Sequence, residues 1–240
     1  MKYQHCLMGG DAFIKTLKVG ATVAKDTFVI FDTNKYGQCT TCTTTSAADW
    51  MGLAISGGTY DATPTVAEGG EGTVQVIINP LAVYRGRAWG SAAKAELSAA
   101  TLNVQTQTIA SKTVLTSAAG YTNDKDTGTL FMLTGANAGM SRILTSHVDA
   151  TSCTVTVAFP ENMAVGDKGV AVQYGVGGSA GHTALHTMTT DLTGFDDSVA
   201  LGTGAAVSVV DVELERPINA TNPVIYVDFI LTNHLFNPID

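Results

Sequence analysis

The residues of this chain that could do chemistry are few and scattered. Cys39-Thr-Thr-Cys42 has the C-x-x-C spacing of a redox pair. Such a pair needs a helix start, where the dipole lowers the thiol pKa. Here it sits in CTTCTTT, a threonine-rich strand or loop. A zinc site needs a second pair of ligands at suitable spacing, and none accompanies it, so these cysteines read as structural. His182 and His186 lie four apart in GHTALH, which on a helix would put both imidazoles on one face for a metal. Thr183-Ala184 stands where an H-E-x-x-H protease carries its glutamate, and the surrounding glycines argue against a helix. Gly175–Gly181, GVGGSAG, has the composition of a phosphate-cradling loop, but no Lys-Ser/Thr follows it and no βαβ unit surrounds it. GGDAF, DTNKYG, YTNDKDTG and GFDDS are acidic turns. Calcium could bind at Asp124/Asp126 or Asp196/Asp197, yet the ligand repeat of a calcium loop is absent. Asp and Asn favour such turns through their own backbone hydrogen bonds. His5, His147 and His234 have no evident partner, and no Ser-His-Asp or paired-carboxylate set stands out. The expectation is a protein that is not an enzyme and takes no cofactor or metal.

Composition points the same way. Only 14% of the 240 residues are charged, against about 25% in a typical soluble domain. Thr, Ser, Asn, Gln and Gly supply the missing polarity, giving an uncharged, hydrogen-bonding surface suited to packing against other protein. The formal net charge is −8, and no basic run or basic-aromatic stripe occurs, which disfavours nucleic acid as a partner. The longest apolar runs, VIINPLAVY and VIYVDFIL, fall short of the roughly 20 residues of a spanning helix, so no membrane partner is expected. MKYQHCLMGGDAF lacks a long apolar stretch and a cleavage-like site, so no secretory signal is expected. Cys6, Cys39, Cys42 and Cys153 are spaced irregularly and read as reduced thiols rather than a disulfide framework.

The elements that would position these residues are strands. Turn signals recur about every 8–12 residues with β-branched residues between them, the spacing of a sandwich or barrel. Strands are expected in FIKTLKV, at Phe28–Phe31 after a turn at Lys25-Asp26, and at Cys39–Thr45 after a turn at Asn34–Gly37. Another lies in WMGLAIS, ended by Gly57-Gly58. In GTVQVIINP, Val74, Val76 and Ile78 share one face. A hairpin is expected from Leu130–Thr134 across GANAG to Arg142–Ser146. In CTVTVAF, Val155, Val157 and Phe159 share a face and Pro160 ends the strand. VSVVDVEL and VIYVDFIL are the strongest strand patterns, with Asp211 and Asp228 facing solvent or an interface. The one helical candidate is SAAKAELSAA, ending at Ala100. The fold class expected is all-β: two sandwich- or barrel-like domains of short antiparallel strands with little helix. A composition shift near Trp89–Ser98 divides residues 1–92, a barrel-like domain, from 93–240, a second β domain with the GANAG hairpin and the C-terminal strands.

Two stretches resemble known proteins. GTLFMLTGANAGMSRILTSHVDATSCTVTVAFPENMAVGD resembles a recurrent β module of tailed-bacteriophage virion proteins, through Gly135, Ala136, Ala138, Gly139, Arg142, Pro160, Gly166 and Asp167. Small residues there allow a tight reversal, and the arginine can tie adjacent loops by hydrogen bonds. LKVGATVAKDTFVIFDTNKYGQCTTCTTTSAADWMGLAIS looks like the opening of phage head decoration proteins, through Gly20, Ala21, Val23, Asp26, Val29, Gly52 and Ala54. Lys25 stands where that pattern has a glycine before Asp26.

The resemblance implies a structural virion protein, a capsid decoration or cement protein made in the host cytoplasm and bound to the outer capsid surface. Its partners would be the major capsid protein and further copies of itself, as a homotrimer. Candidate contact residues lie in the two terminal segments: Leu7 and Met8, and Leu235 and Phe236. A tail, neck or fibre component is the alternative within the virion. A carbohydrate-binding β-sandwich is the alternative outside it, although aromatics make up only 7% and Trp50 and Trp89 are isolated.

Overall fold

GTLFM at Gly128–Met132, apolar apart from Thr129, shows no alternation, and all five of its residues are buried. A strand of that kind needs apolar partners on both faces. The fold supplies them through three clusters that meet along shared strands. In the computed structural model, the described residues are 5–8, 13–32, 38–42, 50–60, 72–89, 104–116, 128–145, 152–173, 195–196 and 207–231. At 5–8, 50, 87–89, 173, 195–196 and 207–208 only the backbone is described. Among these residues there are strands, turns and bends but no helix, as the composition predicts.

Five strands close the first barrel: β2 (Ile14–Val19), β3 (Phe28–Phe31), β4 (Gln38–Thr41), β5 (Trp50–Ala54) and β6 (Thr73–Ile77), in the order β2-β4-β3-β5-β6. The β2–β4 pair is parallel and the other pairs are antiparallel. Val19, Val23, Val29, Cys39, Met51, Ala54, Val74 and Val76 fill its interior, with Ile78 packed at the margin. The expected shared face of Val74, Val76 and Ile78 therefore points inward. Phe28 and Ile30, on the other face of β3, point out of the barrel into the central core.

A sheet runs β1 (His5–Met8), β7 (Val83–Trp89), β16 (Ile225–Leu231), β15 (Val207–Leu214), with β14 (Phe195–Asp196) pairing parallel to β7. Strand β16 alternates buried and half-buried along all seven residues, the signature of a strand with one face on a core. The sheet takes strands from both sides of the expected 92/93 division, and the division itself falls in 90–103, outside the described residues. The candidate helix ending at Ala100 lies there too.

The GANAG hairpin forms as expected. β10 (Gly128–Met132) pairs with β11 (Ser141–Ile143) in the register Leu130↔Arg142. β13 (Lys168–Gln173) and then β8 (Gln105–Thr106) extend that sheet. A second ring completes itself through β12 (Ser152–Thr154) and β9 (Val114–Thr116), which pair with each other. Leu144 bridges to Val155 at one seam, and the Thr108 amide donates to Thr116 O at the other, 3.0 Å. Gln107, 1% exposed, reinforces that seam: its Nε2 donates to Val114 O at 2.8 Å, and its Oε1 accepts from the Thr116 amide at 2.6 Å. Leu115, Leu130, Met132, Leu144, Cys153, Val155, Phe159 and Met163 fill the ring. One expectation fails here. Val157 is 61% exposed while Val155 and Phe159 are buried, because the strand ends at Thr154 and the chain bends at Thr156-Val157 before reaching Pro160.

Between the two rings lies the largest cluster. It joins Phe28, Ile30, Leu53 and Ile77 from the barrel with Tyr84, Val227, Phe229 and Leu214 from the sheet. Phe131, Leu133, Val170 and Val172 join it from the second ring.

The two rings share one turn. In the barrel, Val23 and Gly58 exchange both backbone hydrogen bonds, the Asp26 amide donates to Ala54 O, and the Ala54 amide donates to Thr27 O. In the second ring, Met163 and Ser111 make the same exchange, the Gly166 amide donates to Gln107 O, and the Gln107 amide donates to Asp167 O. The residue with positive φ is Asp26 (61°) in one and Gly166 (95°) in the other. Lys25 therefore needs no replacement by glycine, since the left-handed position falls one residue later, where aspartate is tolerated. At Gly166 a Cβ would meet nothing within 4 Å, so Gly166→Ala is expected to cost only the backbone term, about 1 kcal/mol. Gly135→Ala should cost clearly more, because φ is 80° and a Cβ there would lie 2.1 Å from the Asp167 carboxylate. Urea unfolding of the two variants side by side measures the difference.

Candidate interaction surfaces

The C-x-x-C pair is settled by strand geometry. Cys39 and Cys42 are an odd number of residues apart on an extended segment, so they face opposite ways. Cys39 lines the barrel interior and Cys42 the central core. Cys153 is buried in the second ring, and all three are free thiols. Burial pushes the Cys39 thiol up to about 11, with the nearby Asp32 charge adding to it against a lowering backbone hydrogen bond. A thiol held protonated inside an apolar barrel is no nucleophile. In a Cys6→Ser variant, an alkylating reagent at pH 8 is expected to modify Cys39, Cys42 and Cys153 only at the rate of unfolding. Because the unfolded thiol loses its proton near 9.0 and the folded one near 11, the unfolded state binds fewer protons between those values. Stability contributed at Cys39 is thus whole below pH 9 and falls as pH rises towards 11.

The other sites anticipated from sequence are not assembled by the described residues. His182, His186, Gly175–Gly181, Asp124, Asp126, Asp197, Leu235 and Phe236 lie outside them, and Asp196 is placed only as backbone in β14. No group of three or more His, Cys, Asp or Glu that could hold a metal occurs among the described residues. Leu7 and Met8 fall in β1, at one edge of the five-stranded sheet, with Met8 opposite Val83.

Near that edge the described surface includes exposed apolar side chains. Phe13 (52% exposed) directly precedes β2, Ile14 (42%) begins it, and Leu81 (69%) sits on the turn that joins β6 to β7. The Ile78 amide donates to Phe13 O, Ile14 opposes Ile77, and Leu81 precedes by two residues the Val83 that pairs with Met8. Exposed apolar side chains thus occur at the start of β2 and on the turn that leads into β7, the strand that pairs with β1.

The opposite edge of the same sheet is blunted. β15 carries Asp211 and Glu213 exposed and a bulge between Val209 and Asp211, devices that discourage further strand pairing. The sheet's outward face holds a polar network that no local pattern announces. Arg85 Nε and Nη2 donate to Asp228 Oδ1 and Oδ2 at 2.7 and 2.8 Å, across 143 residues of chain. Arg85 also pairs with Glu213 at 2.9 Å and stacks over the Tyr226 ring, whose hydroxyl donates to Glu215 at 2.6 Å. The bond to Asp228 raises the Arg85 pKa above its ordinary value, against the lowering by burial. Asp228 does face outward as expected, but only 13% of its side chain is exposed. A network of this kind fixes the register of three strands and contributes modestly to stability.

The GANAG turn is likewise committed to structure. Asn137, fully buried, donates from Nδ2 to Glu161 O at 2.8 Å and accepts from the Glu161 amide at 3.3 Å. Arg142 lies over the Phe159 ring, 5.1 Å from its centroid, and its Nε reaches Ala158 O at 3.4 Å, so it does tie adjacent loops. Arg216 donates to Gly139 O and fastens the link before β16 to the same turn. The turn's sequence signature, Gly135, Ala136, Ala138 and Gly139, does not include the Asn137 that lies between them. Comparison of the chain with protein-family models, curated proteins and solved structures gives no match.

Proposed function

We propose that this protein is a structural virion component, a capsid decoration or cement protein that stabilises a shell by protein–protein contact. The observation that carries the reading is the set of exposed apolar side chains, Phe13, Ile14 and Leu81, near the β1 edge. Exposed apolar side chains near an open sheet edge suit burial against another protein surface. A standard interface buries about 1,600 Å² in total, more than three side chains supply, so the contact extends to neighbouring segments and, in this reading, to further copies arranged as a homotrimer. The partner is the outer face of the major capsid protein. Binding to the assembled shell and not to free subunits raises shell stability by mass action, and repetition on a symmetric lattice multiplies weak contacts.

The test mixes purified protein with undecorated capsids and measures particle binding and the temperature at which shells open. Binding with a raised opening temperature is expected. Leu81→Ser should weaken binding while leaving the protein's own unfolding within about 0.5 kcal/mol of the parent, since the side chain is mostly in water. Absence of binding, or binding without stabilisation, overturns cementing.

A further inference from the structure

We draw no further inference here: the strongest candidate, the apolar tip of the second ring where Ile109 and Val165 (66% and 67% exposed) stand opposite each other in the place that Ser56 and Lys25 take in the barrel's matching turn, carries nothing because nothing in the structure shows what covers it.

Discussion

Phe229→Ala is expected to lower the unfolding free energy by about 3–5 kcal/mol, the range for removing a fully buried aromatic side chain. Phe229 is 0% exposed and belongs to an aromatic trio. Its ring centroid lies 6.1 Å from that of Phe28 and 5.9 Å from that of Tyr84, and the Phe28 and Tyr84 rings meet edge to face at 5.4 Å. Phe28 comes from the barrel and the other two from the five-stranded sheet, so the trio pins one to the other. Edge-to-face and tilted contacts add about 0.5–1.5 kcal/mol each beyond area burial. The cavity left by alanine cannot collapse easily, because Phe229 belongs to a cluster drawn from barrel, sheet and second ring. Urea unfolding followed by far-UV circular dichroism and by tryptophan fluorescence checks the size of the effect. It also checks a second consequence: a core shared by both halves of the chain unfolds as one, so the two probes should give coincident transitions. A loss below about 1 kcal/mol, or two separated transitions in the parent protein, would contradict this packing. Val210→Ala, on the bulge and 56% exposed, serves as the control and should change stability by no more than about 0.5 kcal/mol.

What could be read in advance was whatever leaves a local trace. VIYVDFIL alternates because one face of β16 meets the core, and GTLFM does not alternate because β10 is covered on both sides. Both patterns are visible in a few consecutive residues. Asp26 and Gly166 mark turns because few residue types tolerate their backbone angles. Partnership leaves no such trace. Nothing near Arg85 indicates Asp228, and nothing in either half of the chain says that β7 will pair with β16 rather than with a strand of its own half. Val157 departs from its expected buried face for a related reason: alternation continues in the sequence past the point where the chain bends, since β-branched residues are also tolerated in an exposed turn. The contact surface is the least legible part. An exposed Leu81 and a buried Leu53 look alike until the sheets are assembled around them.

Asn137 shows how much a position hidden inside a recognised motif can carry, and its aspartate variant gives a sign as well as a size. Asn137→Asp keeps the shape of the side chain but turns the donor that faces Glu161 O into an acceptor. Two oxygens then meet about where a hydrogen bond stood, in a site with no exposed surface. A buried group left unsatisfied costs about 1–3 kcal/mol, and more if charged. Together with the carboxylate's desolvation this predicts a loss of roughly 2–4 kcal/mol at pH 7. The variant has a way out that alanine lacks, since the introduced carboxyl can take up a proton and donate to Glu161 O. Burial and the facing carbonyl both raise its folded pKa above the unfolded value of about 3.9. Between those two values the folded state binds more protons than the unfolded one, so stability falls as pH rises and returns as pH falls. Measured as a difference from the parent, Asn137→Asp should therefore recover most of its deficit as pH is lowered towards 4. Asn137→Ala, which leaves the Glu161 amide and carbonyl without their partner at every pH, should stay destabilised throughout. Equal, pH-independent losses in the two variants would mean that the side chain merely fills space and that the loop at Pro160–Glu161 is held by something else.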